Sequence, residues 1–161
     1  MFKQDDPKKC TAAKLVKFKL ATSVRTTSLN TILLDPFARR TVLRDDRLLA
    51  DSITGIDCSW KLAEKTFKKK FTGIARKLPP LLAGNPTNYS KLNKLTTVEA
   101  IAGAAFILGF EDLVDELLDK FKWGHTFYEL NRNLLEDYSK ANSEEEINSI
   151  MKEYGLSLTS Q

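Results

Sequence analysis

Beyond residue 95 the chain is punctuated for helices. Thr96-Thr97-Val98-Glu99 has the form of a capping box, in which a threonine side chain and a glutamate three residues on each satisfy the other's backbone amide. The Ala-rich stretch behind it, up to Leu108, can bury more than one face, and Gly109 is a natural stop. Glu111 and Asp112 suit the start of a second helix whose Leu113, Val114, Leu117, Leu118 and Phe121 make one apolar stripe, broken at Trp123-Gly124. Phe127, Leu130, Leu134, Leu135 and Tyr138 form the stripe of a third helix, and Ser143 to Glu146 is a second capping box that opens a fourth. Connections this short require a compact antiparallel array, and its aromatic stripes are read as core packing.

The first part of the chain follows another rule. β-type runs at Thr31–Leu34 and Ile53–Asp57 alternate with helical candidates at Thr11–Leu20 and Lys61–Phe67, which predicts an α/β layer. Met1–Lys3 and Thr41–Leu43 are candidate further strands. The expected division is an α/β N-terminal domain over 1–77 and a helical domain over 78–161.

Charge divides the same way. Residues 1–95 carry 20 Lys and Arg against 8 Asp and Glu, a net of +12, whereas residues 96–161 carry 5 against 13, a net of −8. Clustered cations of this kind favour a polyanion, because each Lys or Arg that meets a phosphate releases counterions; a merely solvated basic surface is the simpler alternative.

At 161 residues and 42% hydrophobic composition the chain can bury a core. No run approaches the roughly 18 apolar residues of a membrane span, and the charged N-terminus lacks a signal-peptide core, so a cytoplasmic protein is expected. Cys10 and Cys58 have no metal-ligand spacing, so neither a metal site nor a disulfide framework is expected. His125 is the sole histidine and reads as a helix-start residue after Gly124, which leaves no basis for a His-centred triad.

Four local features could carry chemistry. Asp5-Asp6-Pro7-Lys8-Lys9-Cys10-Thr11 places a Pro turn before a helix with Cys10 or Thr11 at its start; its free amides could hold a carboxylate or phosphate, or the helix could simply cap itself. Leu33-Leu34-Asp35-Pro36-Phe37 ends a strand in a Pro turn. Its apolar side chains are either buried in the sheet, the simpler reading, or exposed at the strand tip as a platform for a flat base. Asp57-Cys58-Ser59-Trp60 ends another strand: Trp60 reads as core or as a ligand platform, and Asp57 needs a partner that a cationic ligand, a hydrogen-bond donor or a turn could supply. Finally, Arg76 to Tyr89 contains three prolines and two asparagines in a loop too apolar for a solvated linker, which suggests the wall of a pocket.

In this order and spacing, Asp-Pro-Lys-Lys-Cys-Thr, Leu-Leu-Asp-Pro, Asp-Cys-Ser-Trp, Arg-x-Leu-Pro-x-Leu-Leu-Ala-x-Asn-Pro-x-Asn-Tyr, Leu-Thr-Thr-Val-Glu-Ala and Phe-x-Trp-Gly closely resemble the aminocarboxypropyltransferases that modify small-subunit ribosomal RNA. The resemblance covers residues 5 to 138. Ser90 departs from it, since the family usually has Gly after Asn-Tyr, and relatives usually carry a longer first strand before Asp-Pro-Lys.

The resemblance implies transfer of the 3-amino-3-carboxypropyl group of S-adenosylmethionine to N3 of an N1-methylated pseudouridine. It also implies a fold akin to the knotted SPOUT methyltransferases, with a trefoil knot, an α/β N-terminal half and an all-α C-terminal half whose first loop binds the cofactor. Under it Trp60 would cover the methyl group and one side of adenine, with Leu34 and Pro36 packing the base. The carbonyl of Ile56 would meet the ribose hydroxyls, and the main chains of Leu78 and Asn93 would meet adenine. Leu95 completes the implied cofactor set. Thr11 and Thr97, each at a helix start, would receive the cofactor carboxylate, and Asp57 would stand near its ammonium group, a role preferred to that of general base for the uracil N3 proton.

Lys8, Lys9, Lys14, Lys17, Arg76 and Lys77 are the candidate phosphate contacts, because the basic patch must border the transferred arm; Lys68-Lys69-Lys70 reads equally as a solvated loop. The implied partner is small-subunit RNA or a pre-ribosomal particle, with no membrane, and the protein is expected to be a monomer. Two other classes stay open: a SPOUT-type RNA methyltransferase, which would expose the methyl carbon, and a non-catalytic ribosome-assembly factor, which would not bind the cofactor.

Overall fold

A computed structural model of the chain describes residues 10–57, 63–67 and 71–156. Strands β1 (Thr31–Leu34), β2 (Ser52–Gly55) and β3 (Ile74–Arg76) form a wholly parallel sheet in the order β2-β1-β3, with Leu34 in register with both Gly55 and Arg76. All four residues of the central β1 are buried, as expected of a parallel strand covered on both faces. Its one polar side chain, Thr31, shares a 2.8 Å hydrogen bond with the Thr54 hydroxyl.

The expected strand at Ile53–Asp57 is shifted: Ile56 and Asp57 leave the ladder and project past its end. The expected strand at Thr41–Leu43 is reduced to one parallel bridge, Thr41 to Lys77, flanked by bonds from Val42 N to Lys77 O and from Lys77 N to Arg40 O. β3 was not anticipated, because Ile-Ala-Arg is too short to show alternation. Met1–Lys3 lies outside the described residues.

Helix α1 (Thr11–Lys17) stops short of the expected Leu20. Lys19 turns left-handed at φ 59°, Leu20 N donates to Leu15 O and Lys19 N to Val16 O, a Schellman closure formed without glycine. A 3-10 helix (Arg44–Leu48) lies between β1 and β2, and α2 (Ala63–Phe67) between β2 and β3; the first residues of the expected Lys61–Phe67 helix lie outside the described residues.

The helical part follows its punctuation closely. α3 (Thr97–Leu108) opens with the Thr96/Glu99 capping box and closes at Gly109, φ 89°. It is buried on more than one side and forms the central pillar of the molecule. α4 (Glu111–Leu118) and α5 (Gly124–Lys140) pack against it, and α6 (Glu144–Glu153) packs against α5. Gly124 is required at the α4–α5 turn, since a Cβ there would lie 2.0 Å from the Leu118 carbonyl oxygen.

The second capping box is only half made. Glu146 N donates to Ser143 Oγ, but the Glu146 carboxylate accepts from Asn142 N. His125, at the start of α5, is exposed and 3.0 Å from Asp119.

One hydrophobic cluster runs through both parts, joining Leu15, Ile32, Leu34 and Val42 to the cores of α3, α4 and α5. Polar bonds reinforce the join: Thr41 N and Oγ1 both donate to the Glu144 carboxylate at the start of α6, and Tyr138 Oη donates to Pro80 O. Burial raises the pKa of that tyrosine well above its ordinary value. Among the described residues no helix is long and apolar enough to cross a membrane.

Candidate active site

Because the sheet is parallel and in register, the carboxyl ends of its strands deliver Asp35-Pro36, Ile56-Asp57 and Lys77-Leu78 to one edge. Open α/β sheets bind ligands outside that edge, where strand order reverses, and here the reversal falls between β1 and β3. Asp35 N donates to Arg76 O across it.

The first turn of α3 comes down on the end of β2. A Cβ at Gly55 would lie 3.0 Å from the Thr97 methyl and 3.3 Å from Ile101, so glycine permits this close approach. α1 meets the same point: Val98 N donates to Thr11 Oγ1 at 3.3 Å, which joins the starts of the two helices.

Asp57 stands beside them. Among the described residues the one donor it receives is the Cys10 thiol, at 3.3 Å, while Cys10 Sγ caps α1 by accepting from Ala13 N. Burial raises the pKa of this free thiol, and the hydrogen bond to Asp57 and its charge raise it further, so Cys10 serves as a protonated donor at neutral pH. A thiol is a weak donor, so the carboxylate keeps accepting capacity for a cation.

A cavity of about 810 Å³ opens beside these groups. Gly55, Ile56, Asp57, Thr97 and Ile101 line one end of it, and Leu15, Leu20 and Ile53 extend its apolar wall. Its size falls in the range of small-molecule sites. A carboxylate and a threonine hydroxyl beside apolar wall suit a ligand with an amino acid end and a flat, less polar remainder, which is the chemistry of S-adenosylmethionine.

The apolar loop expected to be a pocket wall is held as one piece. Leu82 pairs with Leu92, and Ala83 N, Ser90 N and Asn93 N donate to the carbonyls of Lys91, Ala83 and Leu81 respectively. Ser90 (φ 58°) and Asn93 (φ 59°) take the left-handed conformation, which accounts for glycine being usual at the position of Ser90.

Glu99, wholly buried, anchors the loop's two ends. Its carboxylate accepts from Gly84 N, Asn85 N, Asn85 Nδ2, Thr96 N and Thr96 Oγ1 at 2.6–3.1 Å. Asn131 of α5 clamps the middle by bonding both N and O of Leu82. The capping box revealed only one of these functions of Glu99, and nothing in the sequence marked Asn131 or the Cys10 to Asp57 bond.

The expected residues are therefore only partly gathered. Ile56, Asp57 and Thr97 line the cavity, whereas Thr11 is not among its lining residues and accepts from Val98 N at the start of α3. Leu34, buried in the core, ends β1; Pro36, exposed, and Leu78, half-buried, follow β1 and β3 along the same edge. Asn93 is exposed, with Oδ1 accepting from Leu81 N, and Leu95 is buried in the core just before α3. Trp60, Lys8, Lys9 and Lys68–Lys70 lie outside the described residues.

Among the cations, Lys17 is exposed, Lys77 half-buried, and Lys14 holds its ammonium 5.7 Å above the Phe121 ring. Arg76 requires a correction. It is 7% exposed, with Nε and Nη2 bonded to Asp46 and Nη1 to Ala75 O, so its guanidinium is consumed inside the protein and does not face a phosphate.

Comparison with known proteins agrees with this arrangement. Residues 32–155 match the family model described as "Ribosome biogenesis protein, C-terminal". Residues 2–29 match one described as "Possible Fer4-like domain in RNase L inhibitor, RLI", but two cysteines in the whole chain do not fit the four thiolates of an iron–sulfur cluster. The 16S rRNA aminocarboxypropyltransferase of Methanococcoides burtonii is 43% identical, with 94% of this chain and 90% of that protein covered. The one from Sulfurisphaera tokodaii is 42% identical.

 In both pairs the match spans 94% of this chain and 90% of the relative. The solved structure of the SAM-dependent rRNA:acp-transferase Tsr3 from Vulcanisaeta distributa superposes with a TM-score of 0.85 at 36% identity, covering 97% of this chain and 86% of that one. With the strand edge, the cavity and the helix starts arranged as above, these likenesses establish that the chain belongs to the family of 16S rRNA aminocarboxypropyltransferases.

Proposed function

We propose that the protein transfers the 3-amino-3-carboxypropyl group of S-adenosylmethionine to N3 of an N1-methylated pseudouridine in small-subunit ribosomal RNA. The observation that carries this reading is the meeting of Asp57, Thr97 and the carboxyl end of β2 at one cavity, in a chain related over nearly its whole length to enzymes named for that transfer. When bound, S-adenosylmethionine supplies an electrophilic γ-carbon next to its sulfonium. The protein's part is to select that carbon over the methyl by position.

Asp57 would hold the ammonium group of the amino acid arm, with the Cys10 thiol fixing the carboxylate's orientation. Thr97 and Thr11 would receive the arm's carboxylate. Ile56, Leu78, Asn93 and Leu95 would line the nucleoside, Leu34 and Pro36 would pack its base, and Trp60 would cover the methyl. Lys8, Lys9, Lys14, Lys17 and Lys77 would meet RNA phosphates. The uracil N3 proton would pass to solvent, Asp57 being engaged by the ammonium.

A SPOUT-like fold with a trefoil knot belongs to the same reading, supported by the parallel β2-β1-β3 order with both crossovers. So do action as a monomer in the cytoplasm and an RNA or pre-ribosomal substrate.

The deciding experiment incubates the protein with precursor small-subunit RNA and S-adenosylmethionine labelled in the carboxyl carbon, beside a reaction labelled in the methyl. Carboxyl label alone in the RNA is the expected result. Methyl label alone would make the protein a methyltransferase, and neither label, with no cofactor-induced rise in melting temperature, would leave a non-catalytic assembly factor.

A further inference from the structure

Five aromatic side chains are exposed among the described residues, and four of them are engaged. Phe18 lies under the Lys120 ammonium and Phe110 under the Arg47 guanidinium, Tyr154 donates its hydroxyl to Asp137, and Phe37 has a partner of its own. Tyr89, 55% exposed, is the exception: neither its ring nor its hydroxyl meets a partner among the described residues.

The backbone on either side of Tyr89 is fixed. Asn88 N donates to Asn85 Oδ1 at 3.0 Å, Ser90 N to Ala83 O at 2.7 Å, and Lys91 N to Asn88 O at 2.9 Å. Asn85 is itself 3% exposed, and its Nδ2 donates to the Glu99 carboxylate and to Lys94 O, so the turn that carries Tyr89 hangs from the buried group two residues beyond Thr97. An aromatic ring presented by a turn held this firmly loses little conformational freedom when a ligand covers it.

The charge around the ring selects the ligand. From Lys77 to Val98 the chain carries three lysines and no Asp or Glu. Lys91, exposed and two residues from Tyr89, makes no ion pair among the described residues. Tyr154 is the contrast, since it lies among the carboxylates of Glu136, Asp137 and Glu153, which would repel a phosphate.

We propose that an unpaired base of the RNA stacks on Tyr89 while Lys91 holds a neighbouring phosphate. This rests on the reading of the protein as an enzyme that acts on RNA. It adds to that reading a contact that selects single-stranded RNA, because a base inside a duplex has both faces covered. Leu78 and Asn93, set against adenine by the same reading, flank the loop that carries Tyr89, so the stacked base is anchored on the wall of the cofactor site.

The test measures anisotropy of a short fluorescein-labelled single-stranded RNA and of the duplex of the same sequence. Tyr89→Ala is expected to weaken single-strand binding about tenfold and duplex binding by less than about twofold, while Tyr89→Phe, which keeps the ring, stays within about twofold of wild type on both. Lys91→Ala is expected to lower the salt slope on the single strand by about 0.7, the share of one phosphate contact. Melting temperature and calorimetric affinity for S-adenosylmethionine should stay unchanged in every variant.

Wild-type affinity of Tyr89→Ala for both RNAs, or an equal loss on both, overturns the stack. So does a loss in Tyr89→Phe as large as in Tyr89→Ala, which would assign the contact to the hydroxyl. A matching loss of S-adenosylmethionine affinity overturns it by moving Tyr89 into the cofactor pocket, and an unaltered salt slope in Lys91→Ala overturns the phosphate contact. Unchanged RNA binding together with lost association with pre-ribosomal particles would make the loop a protein-docking surface and overturn the proposal as well. Label transfer is read separately: a wild-type protein that binds the single strand through Tyr89 but moves no label refutes the transfer reading and leaves the stack standing.

Discussion

The helical region and the α/β region are held together by partners at different distances along the chain. α3 is capped by Thr96 and Glu99 and stopped by Gly109, and α6 is capped by Ser143, all within or beside the element they close. In the sheet, Thr31 bonds to Thr54, Asp35 to Arg76, and Arg76 to Asp46. Each of these joins segments that approach one another only after the chain has crossed over. The candidate site lies where the distant partners converge, at the strand ends and the two helix starts, so its shape depends on the less local of the two kinds of closure.

Glu99 is the sharpest test, because it belongs to a local helix cap and also holds the loop before it. Glu99→Ala should cost roughly 5 kcal/mol in urea unfolding, since it leaves several buried donors on Gly84, Asn85 and Thr96 without an acceptor. Ser143→Ala, which removes a purely local cap, should cost about 1 kcal/mol. Equal losses would mean that Glu99 acts as a cap and nothing more.

Next in size is Arg76→Met, which strands the buried Asp46 carboxylate and should cost about 4 kcal/mol. Adding Asp46→Leu should recover most of that, leaving about 1 kcal/mol for the amide of Leu43 that Asp46 also accepts. If the folded Arg76→Met protein lost RNA affinity with a reduced salt slope, the arginine would belong to the RNA surface after all.

A smaller effect is expected where the regions meet. Thr41→Val removes the hydroxyl donor to Glu144 but keeps the backbone one, and should cost about 1 kcal/mol. No change would mean that the apolar cluster joins the two parts unaided.

These distances also explain what could be read in advance. The helices were legible to within a few residues, because capping residues, stop glycines and 3.6-residue stripes are all local signals. α1 was overextended because the left-handed turn at Lys19 uses a residue that carries no turn signal. β3 and the Asp46 partner of Arg76 went unseen because pairing between distant segments leaves no periodic trace in three residues. Of the site, the strand-end residues and Thr97 were marked by the motifs, whereas Cys10 as the partner of Asp57 and Glu99 as the anchor of the loop emerge only once the chain is folded.

The smallest expected effect has the opposite sign. Ser90 adopts φ 58°, a conformation that costs a non-glycine residue about 1 kcal/mol, and its amide donates to Ala83 O at 2.7 Å in the turn that closes the loop. Ser90→Gly relieves that strain, but glycine also gains freedom in the unfolded chain, which takes back about half of it. The net expectation is stabilisation by about 0.5 kcal/mol, a rise of roughly 1–2 °C in melting temperature for a chain of this size. A melting temperature that stays level or falls would mean that the bond to Ala83 and the pairing of Leu82 with Leu92 hold the turn firmly enough for the side chain's strain to be offset in place. The loop would then join the helices as a region closed by its own neighbours, and the boundary between the two kinds of closure would move from Thr96 back to Leu81.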